Sequence, residues 1–167
     1  MPSDVDETLD PGPLTEAVVQ LALRKARAVA AGLGDGVVLG ADTVVVVDGQ
    51  ALGKPRDAAE AVAMLRRLRG RWHDVITAIA AIDAVTRAEA ADAVVTRVEM
   101  AHYSDADIAA YVATGEPLDK AGAYAIQERG AALVAGVRGS YTNVVGLPVD
   151  ETRRLLERFG ALTSEAR

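Results

Sequence analysis

Apolar residues recur at helical spacing at Leu14, Val18, Leu21, Ala22 and Val29, which predicts a helix over residues 14–32. Thr15 is its expected N-cap, Gly32 and Gly34 its stop, and Lys25 falls close to the apolar side. The pattern then changes to a β-branched run, Val37 to Val47, which reads as a buried strand. Gly40-Ala41-Asp42-Thr43 interrupts that run with two small residues, a carboxylate and a hydroxyl. Asp48-Gly49 is a strong hairpin signal, and Lys54 comes off the returning segment. Asp57 is placed to cap a helix that turns Ala61, Met64, Leu65 and Leu68 inward and ends at Gly70.

Val75–Val85 and Ala90–Met100 are the two long strand candidates, joined by a turn over residues 86–89. His73 sits just before the first, where a structural hydrogen bond is the expected role and a substrate contact the alternative. Ser104 caps a predicted helix that runs through Val112. From Gly115 to Gln127 the chain is a loop dense in Gly, Pro and charge, with Asp119 beside Lys120. A short strand over Ala131–Val137, a polar stretch from Ser140 to Asn143 and a closing helix from Val149 to Phe159 complete the pattern. That helix is expected to bury Val149, Leu155, Leu156 and Phe159. Residues 2–7 read as extended, Pro11-Gly12-Pro13 as a loop, and residues 163–167 as a frayed end.

Composition narrows the chemistry. The chain has 167 residues, enough for one domain with a core, and only 4% of them are aromatic, so Ala, Val, Leu and Ile build that core. Cysteine is absent, which excludes disulfides and thiolate metal sites. No apolar run approaches the roughly 20 residues of a membrane helix, and the acidic start does not read as a signal peptide. A cytoplasmic location with no membrane partner is the expectation. A net charge of −6 argues against a nucleic-acid surface. The cluster Arg66, Arg67, Arg69 and Arg71 reads as a solvated helix end that complements the macrodipole.

Two histidines are too few for a His-rich metal site. What remains is a set of carboxylates, Glu7, Asp42 and Asp119, and of lysines, Lys25, Lys54 and Lys120, in or near loops. Hard oxygen ligands of this kind suit Mg²⁺ or Mn²⁺ held together with substrate phosphates. Such a site could direct water at a phosphoanhydride, with a carboxylate taking the proton. By spacing alone it is one of several assemblies, beside the plainer reading of an Asp at a strand end and ordinary loop lysines.

Longer motifs sharpen this. They are Ser3-Asp4-Val5-Asp6-Glu7, Lys25-Ala26, Gly40 to Val45, Leu52-Gly53-Lys54-Pro55, Gly70 to Val75 and Thr114-Gly115-Glu116-Pro117. The most specific is Asp119-Lys120-Ala121-Gly122-Ala123-Tyr124 with Ile126-Gln127, followed by Asn143 to Pro148. With these motifs the chain resembles the Maf family of nucleotide pyrophosphatases from Ser3 to Gly160. The resemblance implies an α/β fold in a single domain over residues 1–167. It has a long, twisted mixed sheet flanked by helices, similar to the inosine-triphosphatase-type fold, with a nucleotide cleft.

The resemblance further implies hydrolysis of nucleoside triphosphates between the α and β phosphates with a divalent metal, and a homodimer. Asp42 matches the family's proton acceptor. Glu7, Lys25, Lys54, Asp119 and Lys120 match its cleft charges, with Glu7 and Asp42 toward the metal. Thr43 and Gln127 match the branch that acts on dTTP and UTP. Ala125 stands where a Gly is usual, and Ser140 where an Asp is usual. The family's opening strand and its Ser-x-Ser-x-Arg-Arg phosphate loop have no counterpart here. A natural protein longer than this chain, and weak stability and activity for the chain itself, are therefore expected. A non-catalytic nucleotide-binding or cell-division regulatory protein, or an inactive fragment of the enzyme, are the alternatives.

Overall fold

The computed structural model describes residues 5–10 and 12–162. The expected frayed end (163–167), the first part of the extended start (2–4) and Pro11 lie outside the described residues. Five strands form one sheet: β1 (Val37–Val47), β2 (Gln50–Leu52), β3 (Trp72–Asp83), β4 (Glu89–Met100) and β5 (Val134–Arg138). Their order is β2-β1-β3-β4-β5. Val47 pairs with Gln50 across the Asp48-Gly49 turn, with both turn residues at positive φ, as the hairpin signal predicts.

The Ala84 N–H donates to the Gly36 carbonyl at 2.9 Å, so the start of β1 lies beside the end of β3 and the two run antiparallel. β4 returns from β3 through a five-residue connection, and β5 pairs antiparallel with β4. Every neighbouring pair among the described strands is therefore antiparallel. The expected mixed sheet has no parallel neighbours among them: β2 and β3 run the same way, but the connection through α2 crosses β1 and leaves them on its two sides. The α/β class with helices flanking the sheet holds: α1 (Leu14–Ala30), α2 (Ala58–Leu68), α3 (Asp105–Val112), α4 (Tyr141–Val145) and α5 (Val149–Arg158). No described helix is long and apolar enough to cross a membrane.

The chain clusters into two compact units, and β1, β3 and β4 each contribute residues to both. The first unit comprises residues up to Asp42, Thr77–Val94 and the chain from Gly146. Its α1 buries Ala17, Val18, Leu21, Ala22, Ala26 and Ala30. Thr15 is not its cap: the helix begins at Leu14 behind Pro13, which places Thr15 inside the first turn. Gly40 explains how closely α1 packs on β1. A Cβ there would lie 2.8 Å from the Ala22 carbonyl oxygen and 3.0 Å from the Ala26 Cβ, so only glycine admits the helix. Leu155 of α5, with Phe159 beside it, packs on Ile79 and Ala81, but Val149 is exposed because it opens the helix beyond that contact.

The second unit comprises Thr43–Ile76 and Val95–Val145. Leu65, Leu68, Val75, Val98, Met100 and Ile108 lie at the centre of its core. Asp57 caps α2 by accepting from the Glu60 N–H, and Ser104 caps α3 in a reciprocal box with Asp107. The arginines at the end of α2 and just after it do more than complement a dipole. Arg67 and Arg71 pair with Asp48, and Arg66 and Arg69 with Asp105. The polar stretch before residue 146 forms α4, unexpected from the pattern. Its buried Asn143 donates to the Val75 carbonyl and to the Thr96 hydroxyl at 3.1 and 2.9 Å. The strand expected over 131–137 starts later, at Val134, after a 3₁₀ turn at Glu128–Leu133.

β3 begins three residues earlier than expected, which takes His73 into the sheet. There it is 3% exposed, with Nε2 at 2.8 Å from the Tyr124 hydroxyl. Burial pushes its imidazole down to about 4. The unfolded chain protonates this ring near pH 6.5 and the folded chain only near 4, so stability falls as pH falls through that window. The loss attributable to His73 is of the order of 3 kcal/mol between pH 7 and pH 4. Urea unfolding at both pH values should show His73→Gln without that share. An unchanged pH dependence in the variant would contradict the assignment.

Candidate active site

In the first unit α1 carries Lys25 to the sheet at the point that Gly40 keeps open, two residues before Asp42 on β1. The Lys25 ammonium donates to Asp42 Oδ1 at 2.6 Å and to Glu7 Oε1 at 2.7 Å. Lys25 and Asp42 are largely enclosed, with side chains 18% and 13% exposed, whereas Glu7 reaches solvent at 57%. Burial pulls the Lys25 ammonium down, but its bonds to Asp42 and Glu7 outweigh that, and its pKa is raised. The lysine is therefore a fixed cation. It does not snorkel outward, as most lysines near an apolar face do. The ammonium that meets Asp42 is that of Lys25.

Glu7 and Asp42 bring two carboxylates to one point. Among the described residues no group of three or more acidic or histidine side chains stands together as a metal cage. A pair of carboxylates is a donor set of the kind Mg²⁺ accepts, since it is commonly held by one or two carboxylates plus phosphates. The donor set thus fits a divalent cation shared with a phosphate-bearing substrate.

The second unit gathers the other candidate charges. The Gly122 N–H donates to the Gly53 carbonyl at 3.0 Å, which ties the Lys54 loop to the loop that carries Asp119 and Lys120. Lys120 Nζ lies 2.8 and 2.9 Å from the two Asp119 oxygens. The Lys120 hydrogen bond first, and the charge of Lys54 more weakly, hold the Asp119 carboxyl below the usual range. Asp119 is 73% exposed and Lys120 41%, and Lys54 is exposed as well, so these cations are presented to solvent at little stability cost. Thr43 is half-buried on β1, and Gln127 is exposed at the start of the Glu128–Leu133 turn.

His73 makes the structural hydrogen bond expected of it, to Tyr124, but two features escaped the sequence pattern, the first being its burial within the strand. His73 shares strand parity with Val75, Thr77 and Ile79, and that alternation was the available signal for its burial. The second is the Tyr111–Glu116 hydrogen bond, 2.9 Å long, which spans the end of α3 and has no helical spacing to announce it.

The family model described as Maf-like protein matches residues 1–159. Proteins named dTTP/UTP pyrophosphatase are similar over most of the chain. The protein of that name from Moorella thermoacetica is 53% identical over 163 residues, 95% of this chain and 82% of the relative. Its counterpart from Pelotomaculum thermopropionicum is 51% identical over 162 residues, 96% and 84% of the two chains. The one from Myxococcus xanthus is 52% identical over 159 residues, 95% and 80%.

Proposed function

The chain belongs to the Maf family, and on that footing we propose that it is a nucleoside triphosphate pyrophosphatase that hydrolyses dTTP and UTP to the monophosphate and pyrophosphate. The observation that carries this reading is the Lys25 ammonium held between Asp42 and Glu7. It gives a carboxylate of fixed orientation, which a general base requires. Asp42 takes a proton from the water that attacks the α-phosphorus. The bond from that phosphorus to the bridging oxygen breaks, and pyrophosphate leaves. Lys54 and Lys120 neutralise phosphate charge, and Asp119 holds Lys120 until substrate arrives. A divalent cation, Mg²⁺ or Mn²⁺, held by Glu7 and Asp42 would supply further charge neutralisation on the phosphates. The protein works in the cytoplasm, as a homodimer.

Thr43 and Gln127 read the base. A hydroxyl and a carboxamide can pair with the donors and acceptors of a pyrimidine edge, and a purine leaves them unpaired. Pyrophosphate release measured with dTTP, UTP, GTP and ATP should give kcat/KM at least about tenfold higher for the pyrimidines. Thr43→Val and Gln127→Ala should each narrow that gap. Equal kcat/KM for all four nucleotides would count against the reading.

A further inference from the structure

Gln127 stands on an arch of chain whose two feet are fastened to one side-chain pair. At one foot the Ala125 N–H donates to the Tyr111 hydroxyl oxygen at 3.1 Å. That hydroxyl in turn donates to Glu116 Oε1 at 2.9 Å. At the other foot the Gly130 N–H donates to the same Oε1 at 3.2 Å. The feet also touch directly. A Cβ on Gly130 would lie 2.1 Å from the Ala125 carbonyl oxygen and 2.7 Å from the Tyr111 hydroxyl, so no other residue fits. Between the feet Glu128 takes a φ of +53, a left-handed conformation that a non-glycine residue adopts at a cost. Such a conformation persists only where the surroundings dictate it. Tyr111 is buried, and burial raises its phenol, so it remains a hydrogen donor through the ordinary pH range.

We propose that Tyr111 and Glu116 are positioning residues for nucleotide selectivity: their hydrogen-bonded bracket fixes the Ala125–Gly130 arch and thereby the point at which the Gln127 carboxamide meets the base. The inference rests on Gln127 reading the base. A side chain that discriminates by hydrogen bonds must be held within a few tenths of an ångström; Ile126 is buried, but Gln127, Glu128 and Arg129 are exposed and depend on how the feet are held. The bracket requires an acceptor at Glu116 Oε1 rather than a charge. A glutamine carbonyl at that place can accept from both the Tyr111 O–H and the Gly130 N–H.

The test compares kcat and KM for UTP and GTP in the parent, Tyr111→Phe, Glu116→Ala, Glu116→Gln and Gln127→Ala, with circular dichroism to confirm folding. Tyr111→Phe and Glu116→Ala should lower the UTP-over-GTP ratio about fivefold to tenfold, through KM for UTP, with kcat within about twofold. Glu116→Gln should stay close to the parent. The double variant Tyr111→Phe/Gln127→Ala should be no less selective than Gln127→Ala alone, because Tyr111 acts through Gln127. If Gln127→Ala loses selectivity while Tyr111→Phe and Glu116→Ala keep it, the bracket is overturned and base reading by Gln127 stands. Equal losses in Glu116→Gln and Glu116→Ala, or additive losses in the double variant, would overturn it too. If Gln127→Ala keeps full selectivity, base reading by Gln127 fails first and the bracket has nothing to position.

Discussion

Asp42→Asn is expected to lower dTTP hydrolysis by about 10²–10⁴-fold, the usual contribution of a general base. The substitution keeps the size of the side chain and an acceptor for Lys25 but removes the charge that faces the ammonium. An asparagine carbonyl oxygen can still accept from the Lys25 ammonium, which now sits 2.6 Å from Asp42 Oδ1. Volume and strand geometry are preserved, so α1 still closes over Gly40. The loss should therefore fall on kcat in a variant that still folds, with a lowered thermal midpoint because the enclosed Lys25 ammonium keeps only Glu7 as a charged partner among the described residues. Steady-state kinetics alongside circular dichroism melts would check this. Near-parental turnover in a folded variant would remove Asp42 from the chemistry.

Lys25→Met should fail in a different way, through stability as well as rate. The ammonium separates two carboxylates, and its loss leaves Asp42 enclosed without its cation and with Glu7 as a like charge. Removing one partner of a fully buried pair costs about 3–5 kcal/mol; with side chains 18% and 13% exposed, this pair should lose about 2–3 kcal/mol. The sign with pH follows from the raised lysine pKa. Its contribution is fully present below the unfolded value near 10.4 and is lost as pH rises through the folded value. The stability gap between parent and variant should thus be constant from pH 6 to 9 and shrink above about 10.5. Turnover should drop by up to about 10²-fold, because the proton acceptor loses the group that orients it. Urea denaturation and kcat at pH 7.5 and 10.5 would test both parts. A variant as stable as the parent would mean that the pair is only a surface contact.

The local signals along the chain were legible where one residue type determines one geometry. Asp48-Gly49 made its hairpin, Asp57 and Ser104 capped their helices, and the apolar runs became β1 and the long β3–β4 pair. What the pattern could not supply was the partner of each charge. Lys25 lies on the edge of the α1 apolar face, a position from which most lysines reach solvent. Its contact with Asp42 exists because Gly40, fifteen residues later, has no Cβ to hold the helix away. The arginines of residues 66–71 likewise looked like a helix end until Asp48 and Asp105 were brought to them by separate turns. Asn143 read only as part of a polar stretch, and its burial depends on the Val75 carbonyl and Thr96. The roles of Glu7, Asp119 and Gln127 came from motif resemblance, since no spacing distinguishes them from other exposed polar residues.

The central claim is that water attacks the α-phosphorus of a pyrimidine triphosphate and expels pyrophosphate. It is tested most directly by following UTP turnover in ¹⁸O-enriched water by ³¹P NMR, with Asp42→Asn in parallel. The account predicts UMP carrying the ¹⁸O label together with unlabelled pyrophosphate, and almost no product from the variant. UDP with labelled inorganic phosphate, label in the pyrophosphate, or equal product from both proteins would contradict it.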